Sequence, residues 1–180
     1  MDNDTDIKII AYIDGANLDK GISRLGWNID YKRLLVWLRE KHGVSKAIFF
    51  TGRIESLSYL YEELAGIGYV LILRETVRGI GGKIKGNCDT EMVLRATIDL
   101  FEGSYDQAII ISGDGDFACL VDFLKSKSKI KSVFAPHSDR CSILLKRTGV
   151  PITFLNELQE TLQKEKAPNE DGTSPGSLSL

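Results

Sequence analysis

The stretch Gln107–Phe117, QAIIISGDGDF, constrains this chain more than any other. Ala108 to Ile111 is a short apolar run rich in Ile, which reads as a strand buried on both faces. It stops at Ser112, after which two glycines alternate with two carboxylates, Asp114 and Asp116. The glycines predict an immediate turn. Phe117, Leu120, Val121 and Leu124 then recur at helical spacing. Asp114 and Asp116 are thus expected on a tight strand-to-helix turn, where open parallel sheets bind ligands. Two acids this close repel each other unless a cation or a shared proton lies between them.

The same logic recurs near the start. Residues 8–13 form a β-rich apolar run ending in Asp14-Gly15, with Asn17-Leu18 following as a turn or short helix. Asp30 caps a helix carrying Leu34, Leu35, Trp37 and Leu38 that ends near His42-Gly43. A strand is expected over 46–51, followed by Gly52-Arg53, a helix over 56–66 and a strand over 69–73. Residues 78–87, RGIGGKIKGN, read as a mobile loop, with four glycines beside Arg78, Lys83 and Lys85. Asp89 opens a helix to Phe101. The central strand and its helix to about Lys127 follow, then a strand over 130–135, a short helix over 142–146 and a strand over 152–155. A last helix, capped by Asn156, is expected to reach about Lys164. Strands alternating with helices predict an α/β fold, a mainly parallel central sheet with helices on both faces and right-handed crossovers.

Length and composition fit one soluble globular domain, with 180 residues, 43% apolar and 27% charged. Residues 1–6 read as a disordered N-terminus, 7–165 as the domain, and the Pro/Gly/Ser-rich 166–180 as a disordered tail. The net charge of −2 is no nucleic-acid signature, but the charge is uneven. Over residues 125–147, Lys125, Lys127, Lys129, Lys131, Arg140, Lys146 and Arg147 stand against one acid, Asp139. Three widely spaced cysteines, Cys88, Cys119 and Cys141, include no C-x-x-C pair and predict a reducing, cytoplasmic setting without zinc. The acidic N-terminus has no signal-peptide pattern, and no apolar run approaches the ~20 residues that span a bilayer.

Asp14 and Asp114 each follow a buried strand, and Asp89 opens a helix, so all three are expected at the carboxyl edge of the sheet. Such a carboxylate set suits Mg²⁺ or Mn²⁺, hard ions that take oxygen ligands and bridge phosphates. Each acid also has an ordinary alternative: Asp14 and Asp89 as helix caps, Asp114 and Asp116 as turn residues. Asp99 lies about 15 Å along the helix from Asp89 and reads as capping or solvating its far end.

Three blocks, Ile13-Asp14-Gly15-Ala16-Asn17-Leu18, Lys85-Gly86-Asn87-Cys88-Asp89 and Ser112-Gly113-Asp114-Gly115-Asp116-Phe117, resemble the signature blocks of the NYN domain, and within it the LabA-like branch. The resemblance covers about residues 7–160. It implies a PIN-like three-layer sandwich with an acidic pocket for Mg²⁺ or Mn²⁺, usually associated with RNA cleavage. By resemblance, Asp14, Asp89 and Asp114 bind metal, Asp116 supports them as a further catalytic acid, and Asn17 and Ser112 are polar neighbours on the substrate side. In one departure, two residues, Asn87 and Cys88, separate Lys85-Gly86 from Asp89, where many such domains have one.

The expected function is a metal-dependent ribonuclease, with Arg53, Arg78, Lys83 and Lys85 gripping phosphates of single-stranded RNA at low sequence specificity. The alternative is a non-catalytic RNA-binding or regulatory module that keeps the acidic pocket; self-association is compatible with either. A small-molecule phosphatase is disfavoured, because Gly113 intervenes before Asp114 and Ala118 stands where a Thr or Val is needed. Gly113-x-Gly115-x-x-Ala118 matches a dinucleotide fingerprint only formally, since Asp114 and Asp116 would face the pyrophosphate. Residues 78–85 lack the G-K-[ST] of a P-loop. His42 and His137 read as surface or loop histidines, Cys88 as a packing residue, and Trp27 and Trp37 as core or helix-face residues.

Overall fold

The computed structural model describes residues 7–75, 77–78, 84–85 and 88–165. The segments expected to be disordered, 1–6 and 166–180, lie outside the described residues, as do the side chains of Arg78, Lys83 and Lys85.

The chain runs β1 (Ile9–Asp14), α1 (Gly15–Ser23), α2 (Tyr31–His42), β2 (Val44–Arg53), α3 (Ser58–Ile67), β3 (Val70–Glu75), β4 (Val77–Arg78), β5 (Ile84–Lys85), α4 (Asp89–Phe101), β6 (Gln107–Ile111), α5 (Ala118–Ser126), β7 (Ile130–Ala135), α6 (Ile143–Arg147), β8 (Ile152–Phe154) and α7 (Gln159–Leu162). Six strands form one sheet in the order β3-β2-β1-β6-β7-β8, and every neighbouring pair is parallel. The chain moves outward from β1 to β3, returns to the centre at β6, and moves outward the other way. Right-handed crossovers on the two sides of that reversal put helices on opposite faces. The result is an α/β three-layer sandwich.

β1 shows why both faces are needed. Ile9, Ala11 and Ile13 pack with Leu18 and Ile22 of α1, Leu34, Leu35 and Leu38 of α2 and Leu64 of α3. Ile10 and Tyr12 point to the other face, among Met92 and Ala96 of α4 and Leu120, Val121 and Leu124 of α5. All six β1 residues are buried, so the strand reads as a continuous apolar run rather than an alternating one.

Most elements form where patterning places them. Asp30 accepts from Arg33 N–H at 3.0 Å to start α2, and Gly43, at φ 69°, ends it. Asn17-Leu18, expected as a turn or short helix, belongs to a nine-residue helix, α1, that begins directly after β1. Three expectations need correction. Part of the glycine-rich segment, read as a mobile loop, is a small antiparallel ribbon, with Val77 opposite Lys85 and Arg78 opposite Ile84. Asn156 does not cap the last helix: it sits inside a 3-10 turn, and its Oδ1 accepts from Ser138 N–H at 3.3 Å. His42 is not an isolated surface residue, because its ring meets Trp37 and Phe134 edge to face, with centroids at 4.5 and 4.8 Å. That burial, with Lys131 close by, lowers its pKa.

Asp99 is the fourth correction. It does not face water at the end of α4 but is 1% exposed. Tyr12 donates to its Oδ2 at 2.8 Å, and Arg95 Nε donates to both oxygens at 2.9 and 3.0 Å. A buried carboxylate is tolerated only when its lone pairs are satisfied in this way. We expect Asp99→Ala to cost about 2–3 kcal/mol in urea unfolding, because it strands the Tyr12 hydroxyl in the core. In the Tyr12→Phe background the same change should cost less. Additive losses would show that the two side chains are not coupled.

Candidate functional site

The reversal of strand order lies between β1 and β6, and a crevice forms outside the carboxyl ends of strands at such a point. The acids meet there. Asp14 is the last residue of β1 and the N-cap of α1; Asp114 follows β6; Asp89 opens α4.

Asp14 is the buried member, 8% exposed. Its Oδ1 accepts from the Asn17 N–H and its Oδ2 from the Ser112 hydroxyl, both at 3.1 Å. Ser112 Oγ in turn accepts from the Asp114 N–H at 3.1 Å, so one hydroxyl ties the ends of the two central strands together. Asn17 Oδ1 accepts from the Gly113 N–H at 2.9 Å, which joins α1 to the acidic loop a second time. Asp116 N–H donates to Asp114 Oδ1 at 3.1 Å, and Ser142 N–H donates to the Gly113 carbonyl at 2.9 Å. Asn17 and Ser112 therefore hold the backbone around the acids.

The glycines of this region serve close approach rather than positive φ. A Cβ on Gly15 would stand 2.2 Å from Phe49 Cε1 and 2.9 Å from the Phe50 carbonyl oxygen. One on Gly115 would stand 2.4 Å from Ser142 Oγ. The contact of Gly115 with Ser142 seats the acidic loop on the start of α6. Sequence reading missed Ser142 and Gly115 as positioning residues, because nothing local marks a tertiary contact.

Asp89, Asp114 and Asp116 each offer a carboxylate oxygen, and these atoms lie within 4.8 Å of one another. Asp116 is exposed and Asp89 half-buried. Asp14 lies outside this trio but feels it. Burial above all, with the charges of Asp89 and Asp114 adding, pushes the Asp14 carboxyl up to about 6, although the Asn17 and Ser112 bonds favour its ionised form. Arg74 pairs with Glu91 at 3.5 Å, bracing β3 against the first turn of α4 next to Asp89. Arg53 closes β2 on the same edge, three residues past Phe50, the register partner of Asp14. Cys88 is buried beside Asp89, and desolvation, with Glu91 and Asp14 adding, pushes its thiol up to about 11; it is a packing residue, not a nucleophile.

The like charges at the switch point fit a family assignment. Residues 8–152 match the NYN domain, about four-fifths of the chain. The chain belongs to the NYN domain family. This family lies within the PIN-like nuclease superfamily. The NYN chain is similar to the low amplitude and bright protein LabA of Synechococcus elongatus, 24% identical over 180 residues, covering 93% of this chain and 94% of LabA. It also resembles the crystal structure of a protein of unknown function from Vibrio parahaemolyticus at TM-score 0.76 and 22% identity, covering 90% of this chain and 99% of that one. The second likeness shows the shared fold.

The raised Asp14 pKa makes a stability prediction for the metal-free protein. The folded state holds the proton more tightly than the unfolded one, so the stability Asp14 contributes is full below about pH 4. It is lost as pH rises through about 6, the folded-state value. Asp14→Asn, which keeps a cap acceptor, should flatten this part of the stability profile and gain on the order of 1–3 kcal/mol at pH 7. Urea titrations across pH 4–8 measure it; an unchanged profile would mean that Asp14 is already ionised and satisfied in the fold.

Proposed function

We propose that this NYN domain is a metal-dependent ribonuclease that hydrolyses RNA phosphodiester bonds at the Asp89–Asp114–Asp116 cluster, with Asp14 buried nearby. The observation that carries this reading is the set of three carboxylate oxygens within 4.8 Å of one another, near a fourth, buried acid. Family membership supports it.

The donor set suits a hard dication: all of the trio's ligand atoms are carboxylate oxygens, with neither sulfur nor imidazole among them. A spacing of up to 4.8 Å suits Mg²⁺ or Mn²⁺, because water completes part of such an ion's shell. When bound, the ion supplies Lewis acidity, making water a competent nucleophile at neutral pH and offsetting charge on the leaving oxygen. Asp89, Asp114 and Asp116 hold it. Asp14 positions them, by fixing Ser112 and the start of α1. Arg53, Arg78, Lys83 and Lys85 grip backbone phosphates, so recognition is of single-stranded RNA with low sequence specificity, in the cytoplasm.

Adding Mn²⁺ should raise the melting temperature of the wild-type protein; at a hundredfold excess over Kd the gain is about 2.7 kcal/mol. Asp114→Asn should lose this gain while keeping its fold. In a single-turnover assay on labelled single-stranded RNA, both Asp114→Asn and EDTA-treated wild type should cleave at least about 100-fold more slowly than wild type with Mn²⁺. Equal rates for wild type and variant would sink the nuclease reading. RNA binding by both without cleavage by either would make the domain a binding module.

A further inference from the structure

Beside the acidic centre lies a cleft of about 410 Å³ lined by Asn17, Lys20, Gly21, Arg24, Pro136, His137 and Arg140. It is built from two segments. Asn17 and Lys20 of α1 and Arg24, the residue that ends it, follow one another at i, i+3 and i+7, along one face. Pro136, His137 and Arg140 come from the connection between β7 and α6. The two segments are in direct contact: a Cβ on Gly21 would stand 2.5 Å from Pro136 Cβ. Glycine here lets α1 lie close against the connection and bring the basic side chains together.

Among the described residues of the lining there is no acid. Lys20, Arg24 and Arg140 are exposed, and none of them forms an ion pair with a described residue. The sequence-adjacent acids are otherwise engaged: Asp19 accepts from the Tyr31 hydroxyl at 3.5 Å, and Asp139 accepts from the Ser138 hydroxyl at 3.3 Å. His137 accepts the Asp139 N–H on Nδ1 at 2.9 Å. The neutral ring therefore carries its hydrogen on Nε2, as a donor. The cleft thus presents three cations and an imidazole donor on a fixed frame, in a protein of net charge −2. Asn17 lines one end of it and, through Oδ1, holds Gly113 of the acidic loop, so cleft and acids share a wall.

We propose that this cleft is a further backbone-phosphate site of the RNA strand, besides Arg53, Arg78, Lys83 and Lys85, holding phosphates next to the one cleaved. The proposal rests on the nuclease reading for its choice of polyanion. It gives the substrate a path: the strand lies on α1 and the β7–α6 connection, where like charges do not oppose it, and only the scissile phosphate enters the acidic centre. Contacts of this kind position a strand without reading its bases. The sequence conceals the site, because nothing local brings Lys20 and Arg24 against the connection between β7 and α6.

The test is binding of a labelled single-stranded RNA in EDTA, followed by fluorescence anisotropy over a range of KCl concentrations. Each lost phosphate contact flattens the log K against log salt slope by about 0.7 for single strands. Arg24→Ala/Arg140→Ala should therefore lower the slope by about 1.4 and weaken binding at low salt by about tenfold, equally for oligouridine and oligoadenosine. Arg24→Lys/Arg140→Lys, which keeps the charge, should recover most of the slope. Lys127→Ala, at the end of α5, should leave it unchanged. An alanine double variant with the wild-type slope and affinity overturns the proposal, and if wild type still cleaves RNA the nuclease reading survives that failure. Binding that depends on Arg24 and Arg140 in a protein that cleaves nothing supports the cleft and removes the nuclease. Wild type that binds no RNA overturns both.

Discussion

The site depends on one carboxylate kept out of water. Asp14 ends a strand buried on both faces, so its side chain emerges where solvent barely reaches. An isolated buried charge costs several kcal/mol. Here two donors reduce that cost: the first turn of α1 supplies the Asn17 N–H, and β6 supplies the Ser112 hydroxyl. Satisfying Asp14 therefore requires the ends of β1 and β6 to sit side by side, the arrangement that creates the crevice. The same hydroxyl accepts the Asp114 N–H, which carries the constraint on into the acidic loop.

The rest of the centre is built against electrostatic preference. Asp89, Asp114 and Asp116 come from two elements, and their carboxylates stand close without relief from one another. The frame around them is built from packing and backbone hydrogen bonds. Gly15 lies against Phe49, Gly115 against Ser142, and Gly113 is bonded on one side to Asn17 and on the other to Ser142. Local repulsion held by a rigid surround is how an unfavourable cluster persists in a folded chain. The raised Asp14 pKa comes first from burial, and the charges of Asp89 and Asp114 add to it. Buried carboxylates need not have this character. Asp99 is more deeply buried than Asp14, yet Tyr12 and Arg95 satisfy it fully, and it serves the core.

The parts of the fold that were legible in the sequence share a cause. A strand buried on both faces must be apolar at consecutive positions, so residues 8–13 and 107–111 announce themselves. A helix must show spacing near 3.6 and a cap, so α2 and α4 are readable from Asp30, Gly43 and the Met92–Ala96 face. Failures fell where local signals were weak or shared. Residues 78–87 read as a loop by composition, and only the pairing of Val77 with Lys85 and of Arg78 with Ile84 reveals a ribbon. Asn156 is a good cap by type, but its carbonyl oxygen is taken by Ser138 across the molecule.

The sequence by itself determined that acids follow the apolar strands, that the sheet is mainly parallel and that the carboxylates lie along its carboxyl edge. Those are consequences of residue order and of the period of apolar positions, which belong to the chain before it folds. Tertiary structure decided which acids face one another. Asp14 turns inward to Ser112, Asp116 joins Asp89 and Asp114 outside, and Asp99 leaves the set for Tyr12. It also decided that Lys20 and Arg24 meet His137 and Arg140. Such distances are set by how closely helix, loop and strand pack, and a missing Cβ at Gly15, Gly21 or Gly115 matters only once the facing surface exists.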